Sequence, residues 1–322
     1  VYAYDTGGGD KFVDFGLYAQ DSPIVLNSDF NSSTNWVGSY DRYSFDNNYI
    51  GYKYGRNWEC LQTLNVPSGL YHLSANACGL EYYDDYVTAN ANKNEPLPAS
   101  LFINEDEVSI PSAFSEPTSE DIYGSYRWET IDGFVPYYVD RVPAALKRGM
   151  FKVDVWSYVP SDNGNISFGI HNRAEKDRNR WAAWDNMDLQ YCSENEVTTM
   201  LDSMKIILEA TMQFNQNREI KNKTLSLLNN AEAASTYDRR SIAFVDFKRH
   251  EPIVQGSIAA YQSLETRRAK MADSIEKANK DWVSDYALFK VIKQSQKNKP
   301  WFEWNAGLKN RVKAEIDTFK LS

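Results

Sequence analysis

The hydrophobic period of this chain changes once, near residue 193, and that change restricts it to two kinds of structure in series. Before it, apolar residues alternate. "GLYHLSANACG" follows the turn "PSG" and sets Tyr71, Leu73, Ala75 and Ala77 on one face and His72, Ser74 and Asn76 on the other. "FKVDVWSYV" turns Phe151, Val153 and Val155 inward and Lys152, Asp154, Trp156 and Tyr158 outward, while "NGNISFGI" buries Ile166, Phe168 and Ile170. Short alternating strands punctuated by Gly, Pro and Asn predict an antiparallel β-sandwich over residues 1–193. After Ser193, Gly and Pro become scarce and apolar residues recur three and four apart. Val254, Ile258, Tyr261, Leu264, Met271, Ile275 and Ala278 trace one stripe, with Glu265, Arg267, Arg268 and Lys270 off it. Leu201, Met204, Ile207 and Leu208 begin an earlier helix with Ser193 as N-cap, and Leu308, Val312, Ile316 and Phe319 form a last one. Residues 194–322 therefore read as an all-α bundle of three or four helices.

A chain of 322 residues has room for both domains. Its net charge of -9 argues against nucleic acid or an anionic membrane as partner, and no stretch is long and apolar enough to span a bilayer. The opening "VYAYDTGGGDKF" reads as an interior start, so a leader or upstream segment is expected before it. Cys60, Cys78 and Cys192 are odd in number and widely spaced, which suits small buried hydrophobes better than a zinc site or disulfide framework. P-loop, Rossmann, GxSxG and HExxH motifs are missing, and His72, His171 and His250 are scattered. No flanking motif supports a pair of glycoside-cleaving carboxylates, so the protein is expected not to be an enzyme.

The segment "RNRWAAWDNMDLQYC" (178–192) carries the most site chemistry. As one strand it places Trp181, Ala183, Asp185, Met187, Leu189 and Tyr191 on one face, inward because of Met187 and Leu189, and turns Trp184 outward. A bulge near Trp181 would reverse the first part. Asp185 on the inward face needs either hydrogen bonds from loop amides or a calcium ion. Trp184, Trp156 and Tyr158 would form an outer apolar patch, covered by the helices or exposed as a platform.

The series "IVLNSDFNSSTNW" (24–36), "ECLQTLNVPSGLYHLSANAC" (59–78), "ASLFINEDEVSIP" (99–111), "VPAALKRGMFKVDVWSYV" (142–159), "GNISFGI" (164–170) and "RWAAWDNMDLQYC" (180–192) resembles a galactose-binding-like, jelly-roll β-sandwich. It is similar to the carbohydrate-binding-module-like domains of Bacteroidetes-type secreted and surface glycan-handling proteins over about residues 20–192; the helical half has no comparable match. The resemblance implies a structural Ca2+ held by Asn31 and Asp185. Many relatives carry an acid where Asn31 stands, and Asp29, as the neighbour of Phe30, is expected to face away.

Sugar recognition in such sandwiches uses an aromatic ring against the apolar face of the sugar, with Asn, Arg or Asp gripping hydroxyls. Three segments supply these types: 39–58 with Trp58, 80–94 with Tyr82, Tyr83 and Tyr86, and 171–181 with Asn172, Arg173, Arg180 and Trp181. Trp128, in the long insertion 115–134, would wall the site or pin the insertion down. The expectation is a non-catalytic glycan-binding protein, secreted or on the outer cell surface and lipid-anchored as a precursor, with the helices as spacer or protein-docking element. The alternative is a structural or adhesion protein that binds protein partners and retains no sugar site.

Overall fold

The computed structural model describes residues 18–19, 22–23, 25–32, 34–45, 48–81, 86–160, 164–173, 179–212 and 218–319. Two five-stranded antiparallel sheets dominate the first part. One runs in the order Lys152–Val159, Gly69–Glu81, Asn179–Cys192, Asn48–Lys53, Asp41–Phe45. The other runs Val37–Gly38, Trp58–Asn65, Asn165–Asn172, Ala99–Ile103, Asp106–Ser109. Their inner faces share a core that takes Tyr71, Leu73, Ala75 and Ala77 from the first sheet and Ile166, Phe168 and Ile170 from the second, as the alternation predicts.

The first sheet is buried on both faces, so its strands are more apolar than simple alternation. Its outer face is covered in two parts. Cys78, Leu80, Trp181 and Ala183 pack into a second core with Phe114, Tyr123, Val142 and Leu146 of the long connection between the sheets. Leu70 and Cys192 pack into a third with Val197, Leu201, Met204, Leu228, Phe244 and Phe247 of the helices, and Trp156 and Tyr158 lean on it. Trp156 meets Phe244 edge-to-face at 5.0 Å. The expected cover of Trp156 and Tyr158 by helices is thus present.

Three inward assignments, Phe151, Trp181 and Ala183, are corrected, as is the outward assignment of Trp184. Phe151 precedes the strand in a left-handed conformation (φ 56°) and joins the second core rather than the inner one. In the closing strand Asn179–Cys192 the pairing shifts between Asp185 and Asp188, with Asn186 left-handed (φ 52°). That bulge inserts a residue and exchanges the faces. Met187 and Leu189 point into the inner core as expected, but ahead of the bulge Trp184 does so too. Trp181 faces the second core instead. The reversal of these two residues against Met187 lies after Trp184; the pairing also shifts between Asn179 and Trp181, where a bulge was expected. Trp184 stacks on Trp58 at 5.3 Å and lies over Gly51, where any Cβ would strike the indole.

The helices are Glu194–Met212, Arg218–Ala233 and the 59-residue Tyr237–Ser295. Ser193 caps the first in a reciprocal box: its amide and hydroxyl donate to Glu196 Oε2 at 2.7 and 2.6 Å. Leu201, Met204 and Leu208 face the sheet, while Ile207 is exposed. The chain divides into two compact units, residues 1–213 with 219–252, and residues 214–218 with 253–322. The sequence boundary at 193 therefore falls inside the first unit, because the apolar outer face of the sheet draws the first helices onto it. In the second unit the long helix is followed by the short turns Trp301–Glu303, Ala306–Lys309 and Lys313–Asp317, with Trp304 against Phe289 at 5.4 Å. Among the described residues no helix is long and apolar enough to cross a membrane.

Candidate functional site

The strand ends at Lys53, Trp58, Asn172 and Asn179 bring the turn 54–57 beside the start of the closing strand. There the hairpin Arg127–Thr130/Gly133–Pro136 and the turn after it add an aromatic group. The Arg180 guanidinium lies over the Tyr137 ring at 4.2 Å and over Tyr138 at 5.3 Å. Tyr126 meets Tyr138 edge-to-face at 5.3 Å, and Arg141 lies over Tyr126 at 5.4 Å. Tyr126, Tyr54 and Tyr138 stand 59, 48 and 37% exposed. The Tyr54 phenol is pushed up by burial first, then by Tyr52 and Asp140, with Arg180 opposing, which places these groups in one neighbourhood. Asp140 Oδ1 and Arg141 Nε are buried atoms without a hydrogen bond among the described residues.

A rigid apolar surface edged by an acid and two guanidinium groups has the chemistry for a polyhydroxylated ring. On the other side of the turn lies a pocket of about 490 Å³ lined by Gly38, Ser39, Asn57, Trp58, Glu59, Asn172 and Arg173.

The residues expected from sequence fall in different places. Arg180 belongs to the aromatic surface. Trp181 lies beneath it, fully buried, with Nε1 donating to the Tyr137 carbonyl at 3.2 Å, so it positions that surface and offers no ring face of its own. Trp128 is wedged between Phe114 (4.9 Å) and Tyr137 (4.4 Å) and pins the insertion down. Trp58 and Asn172 line the pocket but are buried, and both donate to the Gly55 carbonyl, at 3.0 and 2.9 Å. Tyr82 and Tyr83 lie outside the described residues; Tyr86 begins the helix Tyr86–Ala91, and its side chain is outside them too. Sequence reasoning did not single out Tyr137, Tyr138, Asp140 and Arg141. The signal was available in "PYYVDR" (136–141), an aromatic doublet followed by an acid and a base.

The expected cation ligands form a second cluster. Asp185 is buried, accepts from the Asn186 amide at 2.8 Å, and is pushed up to about 7 by burial, with the charge of Asp29 adding to the rise. Asn31 donates through Nδ2 to Asp29 Oδ2. Asp29 was expected to face away. It faces this site because 26–29 is a turn and Phe30 is left-handed (φ 53°), so strand alternation does not apply. Two carboxylates and an amide oxygen are hard donors that suit Ca2+ in kind. Among the described residues no group of three or more His, Cys, Asp or Glu is arranged to hold a metal.

A family model described as 4-alpha-glucanotransferase, glycoside hydrolase 77, matches residues 182–322, less than half of the chain. That match points to an enzyme and overturns the expectation that the protein is not one. Here the matched segment is most of the closing strand and the helices after it. No curated protein matches the chain. Among solved structures, TmCBM61 in complex with beta-1,4-galactotriose is 11% identical at a TM-score of 0.27, covering 52% of this chain and 97% of that one. The enzymatically active domain of bacteriophage CBA120 tailspike protein 4 is 11% identical at 0.27, covering 52% and 21%. CBM51-2 in complex with GlcNAc and the INT domains of Clostridium perfringens ZmpB is 10% identical at 0.20, covering 70% and 45%. At such scores these likenesses record similarity and carry no argument.

Proposed function

We propose that the chain is a carbohydrate-active protein that holds a glycan on the surface of Tyr54, Tyr126, Tyr138, Asp140, Arg141 and Arg180. The observation that carries this reading is the exposure of three tyrosines beside the Asp140–Arg141 ion pair and the Arg180 guanidinium. A sugar ring would cover a tyrosine face while its hydroxyls pair with the exposed edges of the carboxylate and guanidinium groups beside it. The test is binding to a broad glycan array, followed by titration of any hit. Loss of at least about tenfold in affinity for Tyr138→Ala, with the melting temperature unchanged, supports the site. Unchanged affinity for both Tyr138→Ala and Tyr126→Ala overturns it.

A second reading has its own observation, the family-model match over residues 182–322. On that reading the chain acts on α-1,4-glucan by transfer. Incubation with a single malto-oligosaccharide would yield longer and shorter oligosaccharides together. Recovery of the substrate intact would remove the transferase reading and leave glycan binding standing.

The cation reading belongs with either. Asp185, Asp29 and Asn31 would hold a calcium ion, which would offset the repulsion between the two carboxylates. Calcium should then raise the melting temperature of the native protein and leave that of Asp185→Asn unchanged.

A further inference from the structure

The long helix carries a repeat whose middle stands exposed. Val254, Tyr261, Arg268, Ile275, Trp282 and Phe289 recur at intervals of seven, and Leu264, Met271, Asp285 and Ile292 each stand three residues after one of them. A seven-residue repeat with this 3–4 spacing is the seam of a coiled coil. Its ends, Val254 and Ile292, are buried, but between them Leu264, Met271 and Trp282 stand 64, 66 and 64% exposed. Two charges interrupt the apolar seam. Arg268 is exposed and pairs with Glu265 of the preceding turn at 3.6 Å, and Asp285 is exposed one turn before Phe289.

We propose that this face is the seam of a two-fold antiparallel homodimer in which Arg268 of each copy pairs with Asp285 of the other. The signs and spacing of the two charges select the occupant. In an antiparallel coil the first-type positions of one helix face the second-type positions of its partner. A single register sets Arg268 opposite Asp285. It sets Trp282 opposite Met271 and Phe289 opposite Leu264 at the same time, so apolar residues meet apolar ones. By symmetry every contact occurs twice. A parallel pair would instead stack Arg268 on Arg268 and Asp285 on Asp285. The seam from Leu264 to Phe289 is about 38 Å long at 1.5 Å per residue. One buried ion pair in an otherwise apolar seam fixes register and orientation at some cost in stability.

The test is light scattering of the whole chain over a concentration series, with three variants. The native protein should reach twice its 37.0 kDa mass. Arg268→Asp and Asp285→Arg should each weaken association by about a hundredfold or more, since each sets like charges together twice. The double exchange Arg268→Asp/Asp285→Arg restores the pairing and should restore the dimer, and an equimolar mixture of the two single variants should associate as a heterodimer. Both positions are exposed, so far-ultraviolet circular dichroism should stay unchanged in every variant. A native protein monomeric at every concentration overturns the proposal, as do single variants that associate like the native chain or a double exchange that does not recover.

Discussion

The Tyr237 hydroxyl accepts a hydrogen bond from the Leu70 amide at 2.9 Å, joining the start of the long helix to a strand 167 residues earlier. The same hydroxyl donates to the Cys192 carbonyl at 2.6 Å. One phenol thus ties two neighbouring strands to the helix across the third core, and burial pushes its ionisation well above the ordinary range. Tyr237→Phe leaves the Leu70 amide without a partner in a buried place. The expected cost is about 1–3 kcal/mol, read as a lower urea midpoint with an unchanged slope.

Trp181 and Tyr138 should separate stability from binding. Trp181 is fully buried in the second core, and Trp181→Ala should cost about 3–5 kcal/mol of stability. Tyr138 is exposed on the aromatic surface, so Tyr138→Ala should change stability by no more than about 0.5 kcal/mol while, on the proposed function, weakening the binding of any glycan found. Thermal melts and a binding titration on both variants check this. A fall in affinity for Trp181→Ala would be read as displacement of Tyr137, which its indole holds.

The sandwich was legible in the sequence because its inner faces obey the period of two. Tyr71, Leu73, Ile166 and Phe168 sit where alternation puts them. The closing strand broke that rule where its pairing shifts between Asp185 and Asp188. Asn186, an unremarkable polar residue in sequence, takes a left-handed conformation there and sends Trp184 inward and Trp181 to the other side. Asp29 escaped for the same reason, since a turn has no alternation to read. The proposed ligand surface was half legible: Arg180 stood out beside the tryptophans, whereas Tyr137 and Tyr138 become meaningful only when the hairpin carries them to it. The heptad on the long helix is plain in sequence, but its meaning depends on knowing that Leu264, Met271 and Trp282 stand largely exposed.

Gly51 should be intolerant of any side chain. Trp184 lies over it, and the indole is held by Trp58, Phe30 and Tyr40 around it. Gly51→Ala forces one of these rings aside in a packed core and should cost about 1–3 kcal/mol. Near-ultraviolet circular dichroism should change with it, because Trp184 and Trp58 are stacked.

Asp154 makes stability depend on acid. Its carboxylate accepts from Trp156 Nε1 at 2.8 Å and lies 3.3 Å from His72 Nε2, whose ring stacks on Trp156 at 3.9 Å. The His72 hydrogen bond first, then that from Trp156 and the charges of His72 and Lys248, hold its ionisation below the ordinary carboxylate value against the opposing effect of burial. A carboxyl depressed on folding stabilises fully above its unfolded value, and the contribution disappears as pH falls through the folded one. The native protein should therefore lose stability as pH falls from the ordinary carboxylate range to below it. Asp154→Asn should be less stable than the native protein near neutral pH and show a shallower loss over that window, so the two curves converge in acid. Chemical denaturation at a series of pH values reads this directly, and parallel curves would assign the acid sensitivity to other carboxylates.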